Sequence, residues 1–328
     1  MQDSMSERGA VWGARASFAA LLLVCSEWIV WQTPTRFGAL DWLGLAALYL
    51  ALAAASLDLI ARSGVREPLG LLLVAGLYGL LNATLISGIT ARDLPLSLLG
   101  RPLGAQPLAF LGAFGAFRLL SSGRATGPLD FLIALGGGLA WGVWVRWFPL
   151  VADEPVPAAR SGEALAALAI LLIACGALRA ILPPGNPRRI PEWRLDAPEW
   201  ALVGGVLVAA LALGVAREES GGAAISIVIA LGSFLLALLY ASAVQRDPTS
   251  LLDAVTPPRR PNLAAWLVVI VPFLAAGWIG FHLPGDGASS AQSDLLFGGL
   301  TVFGLIWPPL ISLLIGVRVV AALVREGW

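Results

Sequence analysis

Four polar residues stand where the surrounding sequence is almost wholly apolar: Glu27, Asn82, Arg101 and Gln106. Glu27 sits between Leu21-Leu22-Leu23-Val24-Cys25-Ser26 and Trp28-Ile29-Val30. Asn82 follows Leu80-Leu81, with Thr84 and Ser87 after it. Arg101 and Gln106 each precede a proline, in Gly100-Arg101-Pro102 and Gln106-Pro107. A carboxylate in apolar surroundings takes up a proton or finds a partner. A guanidinium beside it holds it ionised, and an amide hydrogen-bonds either form. These four residues are the candidate substrate- or ion-binding set.

Other groupings are weaker. His282, Asp286 and a nearby Ser have the residue types of a hydrolytic group, but Leu283–Ser290 has the composition of a loop and fixes no geometry. Asp153-Glu154 would suit a cation, or acid/base work on a lipid-linked substrate; in a Pro-rich segment they read as solvated carboxylates. Asp58 has Arg62 four residues on and pairs with it.

Counting residue types removes whole chemistries. All 21 basic residues are Arg, which excludes a P-loop lysine and any Schiff base. His282 is the one histidine, which excludes a haem held by two His within this chain, and both methionines, Met1 and Met5, are N-terminal, which argues against a His/Met haem inside the membrane. The two cysteines, Cys25 and Cys175, form no CxxC motif and read as small apolar side chains. No cofactor, no metal and no catalytic constellation is expected, and an enzyme is the least favoured class.

The elements that must position the four candidates follow from composition. Of 328 residues, 58% are hydrophobic and 13% charged, too few charges to cover soluble domains of this length. Mean hydropathy is +0.82. The reading is an all-α, polytopic integral membrane bundle, one transmembrane domain over 1–328 with no soluble domain. Ten apolar stretches have spanning length: 16–33, 41–60, 69–90, 96–120, 129–149, 164–182, 200–216, 223–244, 263–282 and 295–317. The fourth, with its two X-Pro steps, is the least regular.

With the N-terminus inside, 15 arginines fall on inner segments and six on outer ones. Arginine excess marks the cytoplasmic side, so both termini are expected there, in a bacterial cytoplasmic membrane. Most of the 13 tryptophans read as interfacial belt residues and Arg146 as a snorkelling anchor. The Pro- and Arg-rich segments 183–199 and 245–262 read as stiff inner connectors.

Cut near residue 155, the chain gives halves 1–155 and 156–328 of five stretches each. Asp41-Trp42 then answers to Glu199-Trp200, Asp130 to Asp294, and Cys25 to Cys175. An odd number of spans per half makes such a duplication inverted, as in many secondary transporters. Prolines 102, 107 and 272 fall in the matching fourth and ninth stretches, where broken helices would mark a site.

Three functions fit. A small-solute, secondary-type transporter with its polar site in the outer half comes first. A structural or assembly subunit of a membrane complex comes second, and a membrane-embedded transferase acting on lipid-linked substrates third. Membrane lipids, partner membrane subunits and a small-molecule substrate are the expected partners; nucleic acid is not.

Overall fold

The computed structural model describes residues 2–30, 38–88, 90, 94–151, 160–182, 190–217, 221–243, 250–255, 261–284 and 291–325. Among them there is helix and connection but no strand. Ten helices are long and apolar enough to cross a bilayer: α1 (Arg8–Val30), α2 (Ala39–Ser63), α3 (Pro68–Leu85), α4 (Leu96–Ser122), α5 (Pro128–Phe148), α6 (Ser161–Ile181), α7 (Ala197–Ala216), α8 (Gly222–Ser242), α9 (Leu263–Phe281) and α10 (Asp294–Val324). The count agrees with the sequence reading; several ends do not. Helix before α1's apolar core begins at Gln2, because Ala10, Val11 and Ala14 already bury a face there. The last helix runs from Ala291 to Arg325, since Pro308 and Pro309 do not break it.

Local chemistry sets the starts. Asp196 caps α7 by accepting from the Glu199 N–H at 2.9 Å, while the Glu199 carboxylate accepts from the Asp196 N–H at 3.1 Å. Asp41 accepts from Gly38 N–H at 2.9 Å ahead of α2, and Asp130 from Gly127 N–H at 2.8 Å ahead of α5. Asn262 caps α9 through Ala265 N–H at 3.0 Å. Acidic residues opening α2, α5 and α7 are therefore accounted for by capping, without any duplication.

The chain divides into two compact units, each built from three separate segments. The first comprises Met1–Leu50, Gly112–Arg188 and Ala254–Gly298; the second comprises Ala51–Leu111, Arg189–Asp253 and Gly299–Trp328. Each unit thus draws on both halves of the sequence.

In the first unit, α5 and α9 touch through backbone. Gly138 faces the Phe273 carbonyl, Gly142 the Gly277 carbonyl, and Gly280 the Leu139 carbonyl, so that any side chain there would collide. The indole N–H of Trp266 on α9 donates to the Leu172 carbonyl of α6 at 3.0 Å, with Gly176 beneath its ring. Phe18 of α1 packs on Phe114 and Phe117 of α4. Gly13 of α1 lies against Leu182, just past the end of α6.

In the second unit, α4 and α10 touch the same way: Gly104 faces the Leu300 carbonyl, and Gly304 faces the Leu99 carbonyl. Trp307 donates to the Leu103 carbonyl at 2.7 Å and lies over Gly76 of α3. The end of α2 is a hub. Asp58, buried, accepts from Arg62 Nε at 2.7 Å and from Leu195 N–H at 2.6 Å, while Arg62 Nη2 donates to the Leu195 carbonyl at 2.6 Å. After the left-handed Gly64, Val65 accepts from Leu251 N–H at 2.8 Å. Trp193 and Leu252 are fully buried, so both connectors have ends folded into this unit. Asp58 pairs with Arg62 as the sequence implied, but its second task is to hold a peptide group.

Candidate functional site: a buried carboxylate on a π-helical turn

α1 does not finish as an α-helix. From Val24 to Val30 it widens into a π-helix, and Glu27 stands in the middle of that turn. Such turns are uncommon and recur at functional sites. Glu27 is 3% exposed and the adjacent Ser26 is fully buried. The Tyr49 hydroxyl, on α2, donates to Glu27 Oε1 at 2.5 Å, and Tyr49 is itself fully buried. No charged side chain among the described residues acts on Glu27.

The last carbonyls of any helix lack partners within it. Here α5 supplies them: Trp144 Nε1 donates to the Val30 carbonyl at 2.5 Å and Trp141 Nε1 to the Trp28 carbonyl at 3.4 Å. Arg146, one turn further, donates to the carbonyls of Phe281 and Leu283 at the end of α9, at 3.4 and 2.7 Å. Glu27 is thus positioned by a hydroxyl from α2 and by a helix end tied down by indoles. Cys25 of α1 and Cys175 of α6 are both buried free thiols.

The other three candidates belong to the second unit. α4 also contains a π-helical turn, Arg101–Ala105, between its α-helical parts. Gly79 of α3 faces the Pro102 carbonyl and Pro107 there. Arg101 and Gln106 are thus each one residue from that contact; Arg101 is half-buried and Gln106 fully buried. Asn82, also fully buried, donates through Nδ2 to the Tyr78 hydroxyl at 3.2 Å, and the Tyr78 ring packs on Phe110 of α4. Thr84 and Thr90 share a 2.8 Å hydrogen bond. Asn82 thus stands on α3, and Arg101 and Gln106 on α4, two helices that meet at Gly79 and Pro102.

Comparison of the chain with protein-family models, with curated proteins and with solved structures returns no match.

Sequence reasoning missed Tyr49, Tyr78 and both π turns. The tyrosines carry a signal: the chain has three, all in Leu- and Ala-rich runs where a buried hydroxyl demands a partner. Tryptophan was misjudged more broadly. Trp147, Trp193 and Trp266 are buried rather than interfacial, while Trp200 and Trp278 remain exposed. α9 is a continuous α-helix through Pro272, so the break in α4 has no counterpart there. His282 ends α9 with Nδ1 2.9 Å from the Trp278 carbonyl and its ring against Trp278 and Phe281. Asp286, Ser289, Ser290, Asp153 and Glu154 lie outside the described residues.

Proposed function

We propose that the protein is a small-solute, secondary-type transporter of a cell membrane, with both termini cytoplasmic and Glu27 at the centre of its site. The observation that carries the reading is Glu27 itself. A carboxylate is costly at membrane depth and is ordinarily retained there for a task. This one is buried on a π-helical turn, hydrogen-bonded to a hydroxyl instead of being locked in an ion pair.

Helix pairing supports the inverted repeat on which such transporters are built. Exchanging each helix n of the first half with n+5 of the second turns α5–α9 into α10–α4, and both pairs make glycine-to-carbonyl contacts. The same exchange turns α1–α4 into α6–α9, both packed through aromatic side chains. It returns α1–α6 and α3–α8 to themselves, and both pairs are in contact. Cys25 and Cys175, matched in the sequence, stand on α1 and α6, two helices in contact.

One observation favours the second reading, a subunit of a membrane complex. α2 and α3 are 61% and 72% buried, whereas their counterparts α7 and α8 are 11% and 17% buried. A duplicated bundle acting alone would expose equivalent helices equally. Native mass spectrometry after mild solubilisation separates the two. The transporter reading expects this chain with lipid alone; a second protein retained in fixed stoichiometry would favour the subunit.

A further inference from the structure

We propose that the Glu27–Tyr49 pair is a binding site for one monovalent cation: a proton by default, displaced by an alkali ion or a small organic ammonium. The use of such a site rests on the transporter reading; its existence rests on the geometry. Among the described residues Glu27 forms no ion pair, and its side-chain hydrogen bond is to the neutral Tyr49 hydroxyl. The elements packed against the turn offer few charges. Tyr49 of α2 donates to Oε1; Cys25 and Cys175 are buried thiols; Arg146 of α5 is committed to the carbonyls of Phe281 and Leu283. The indole N–H groups of Trp141 and Trp144 go to carbonyls and not to the carboxylate.

A bare carboxylate in a low-dielectric interior is neutralised one way or another. With no cationic side chain paired to Glu27 among the described residues, the compensating charge comes from solution. One carboxylate supports one positive charge. A calcium ion takes six to eight oxygen ligands, and no cluster of three or more His, Cys, Asp or Glu occurs among the described residues. An anionic solute would meet only repulsion. Tyr49 leaves Oε2 to hold the proton or the cation. Exchange balances as the acid form of Glu27 plus a cation giving the carboxylate–cation pair plus one released proton.

Infrared difference spectroscopy on the purified chain tests this without requiring transport. The carboxylic-acid C=O band of Glu27 is assigned by its loss in Glu27→Gln, with Tyr49→Phe shifting it through the lost hydrogen bond. Three probes are applied: alkaline pH, sodium chloride, and tetramethylammonium chloride at constant pH. The inference expects the band to fall on alkalinisation and with at least one of the two salts, releasing up to one proton per chain. It is overturned if no acid band is assignable, if the band resists all three, or if pH alone moves it. Proton release from wild type with no movement of solute in vesicles would sink transport and keep the site. Transport of an anionic solute that survives Glu27→Gln would do the reverse.

Discussion

Tyr49 donates its hydroxyl proton to Glu27 across 22 positions of chain, joining α1 to α2 through one 2.5 Å hydrogen bond. Removing either partner leaves the other buried with one bond fewer. Inter-helix hydrogen bonds in membranes are worth about 0.6 kcal/mol on average and up to about 2. A double-mutant cycle of Tyr49→Phe and Glu27→Leu, read by reversible unfolding in mixed micelles, should give a coupling near the upper end of that range. A coupling indistinguishable from zero would mean that the bond does not order the site.

Glycine contacts give a sharper contrast. Gly142→Leu drives a side chain into the Gly277 carbonyl and should destabilise by about 3 kcal/mol or prevent folding. Gly112 and Gly115 face open space, so alanine there should be neutral or stabilising by up to about 1 kcal/mol. Equal effects at Gly142 and Gly112 would contradict the α5–α9 packing.

The ten long apolar helices were legible because each is a long apolar run bounded by Arg, Pro or Gly. α1's early start was not, since Arg8 and Arg15 read as flanking charges although Arg15 is fully buried. Glu27, Asn82 and Gln106 stood out because polarity inside apolar runs is rare. Their partners did not stand out, because sequence does not say which helices touch. π turns have no residue code; they arise where tertiary contacts accommodate an extra residue, as the indoles of α5 do at α1. Tryptophan misled for a physical reason: the indole N–H that suits an interface suits an orphan helix carbonyl equally well.

Asp58 offers a test on the second unit. Asp58→Asn keeps the shape but gives Arg62 and the Leu195 N–H one oxygen to share. Arg62 is 41% exposed, so the ion pair itself contributes little; losing a buried acceptor should cost about 1–2 kcal/mol. Hydrogen exchange should then quicken at Leu195 and Asp196. Unchanged protection there would show that the connector is held by Trp193 burial alone.

The proposed topology rests on the 15-to-6 arginine split. Reporter fusions after Gly64 and Gly123, and after Gly185 and Thr256 outside the described residues, should score cytoplasmic. Fusions after Pro157 or Gly287, also outside them, should score external. A swapped pair would invert the proposed orientation.

Access to Glu27 from both faces of the membrane decides the central claim. A cysteine at the buried position 26, introduced as Ser26→Cys with Cys25→Ser and Cys175→Ser, reports directly beside the carboxylate. Vesicles of known orientation are treated with a membrane-impermeant thiol reagent from one side, then the other. The account predicts labelling from both sides, slowly, because the position is closed in this structure. Labelling from neither side, in protein that remains monodisperse, would contradict a transported-solute site at Glu27 and leave the carboxylate as a structural group.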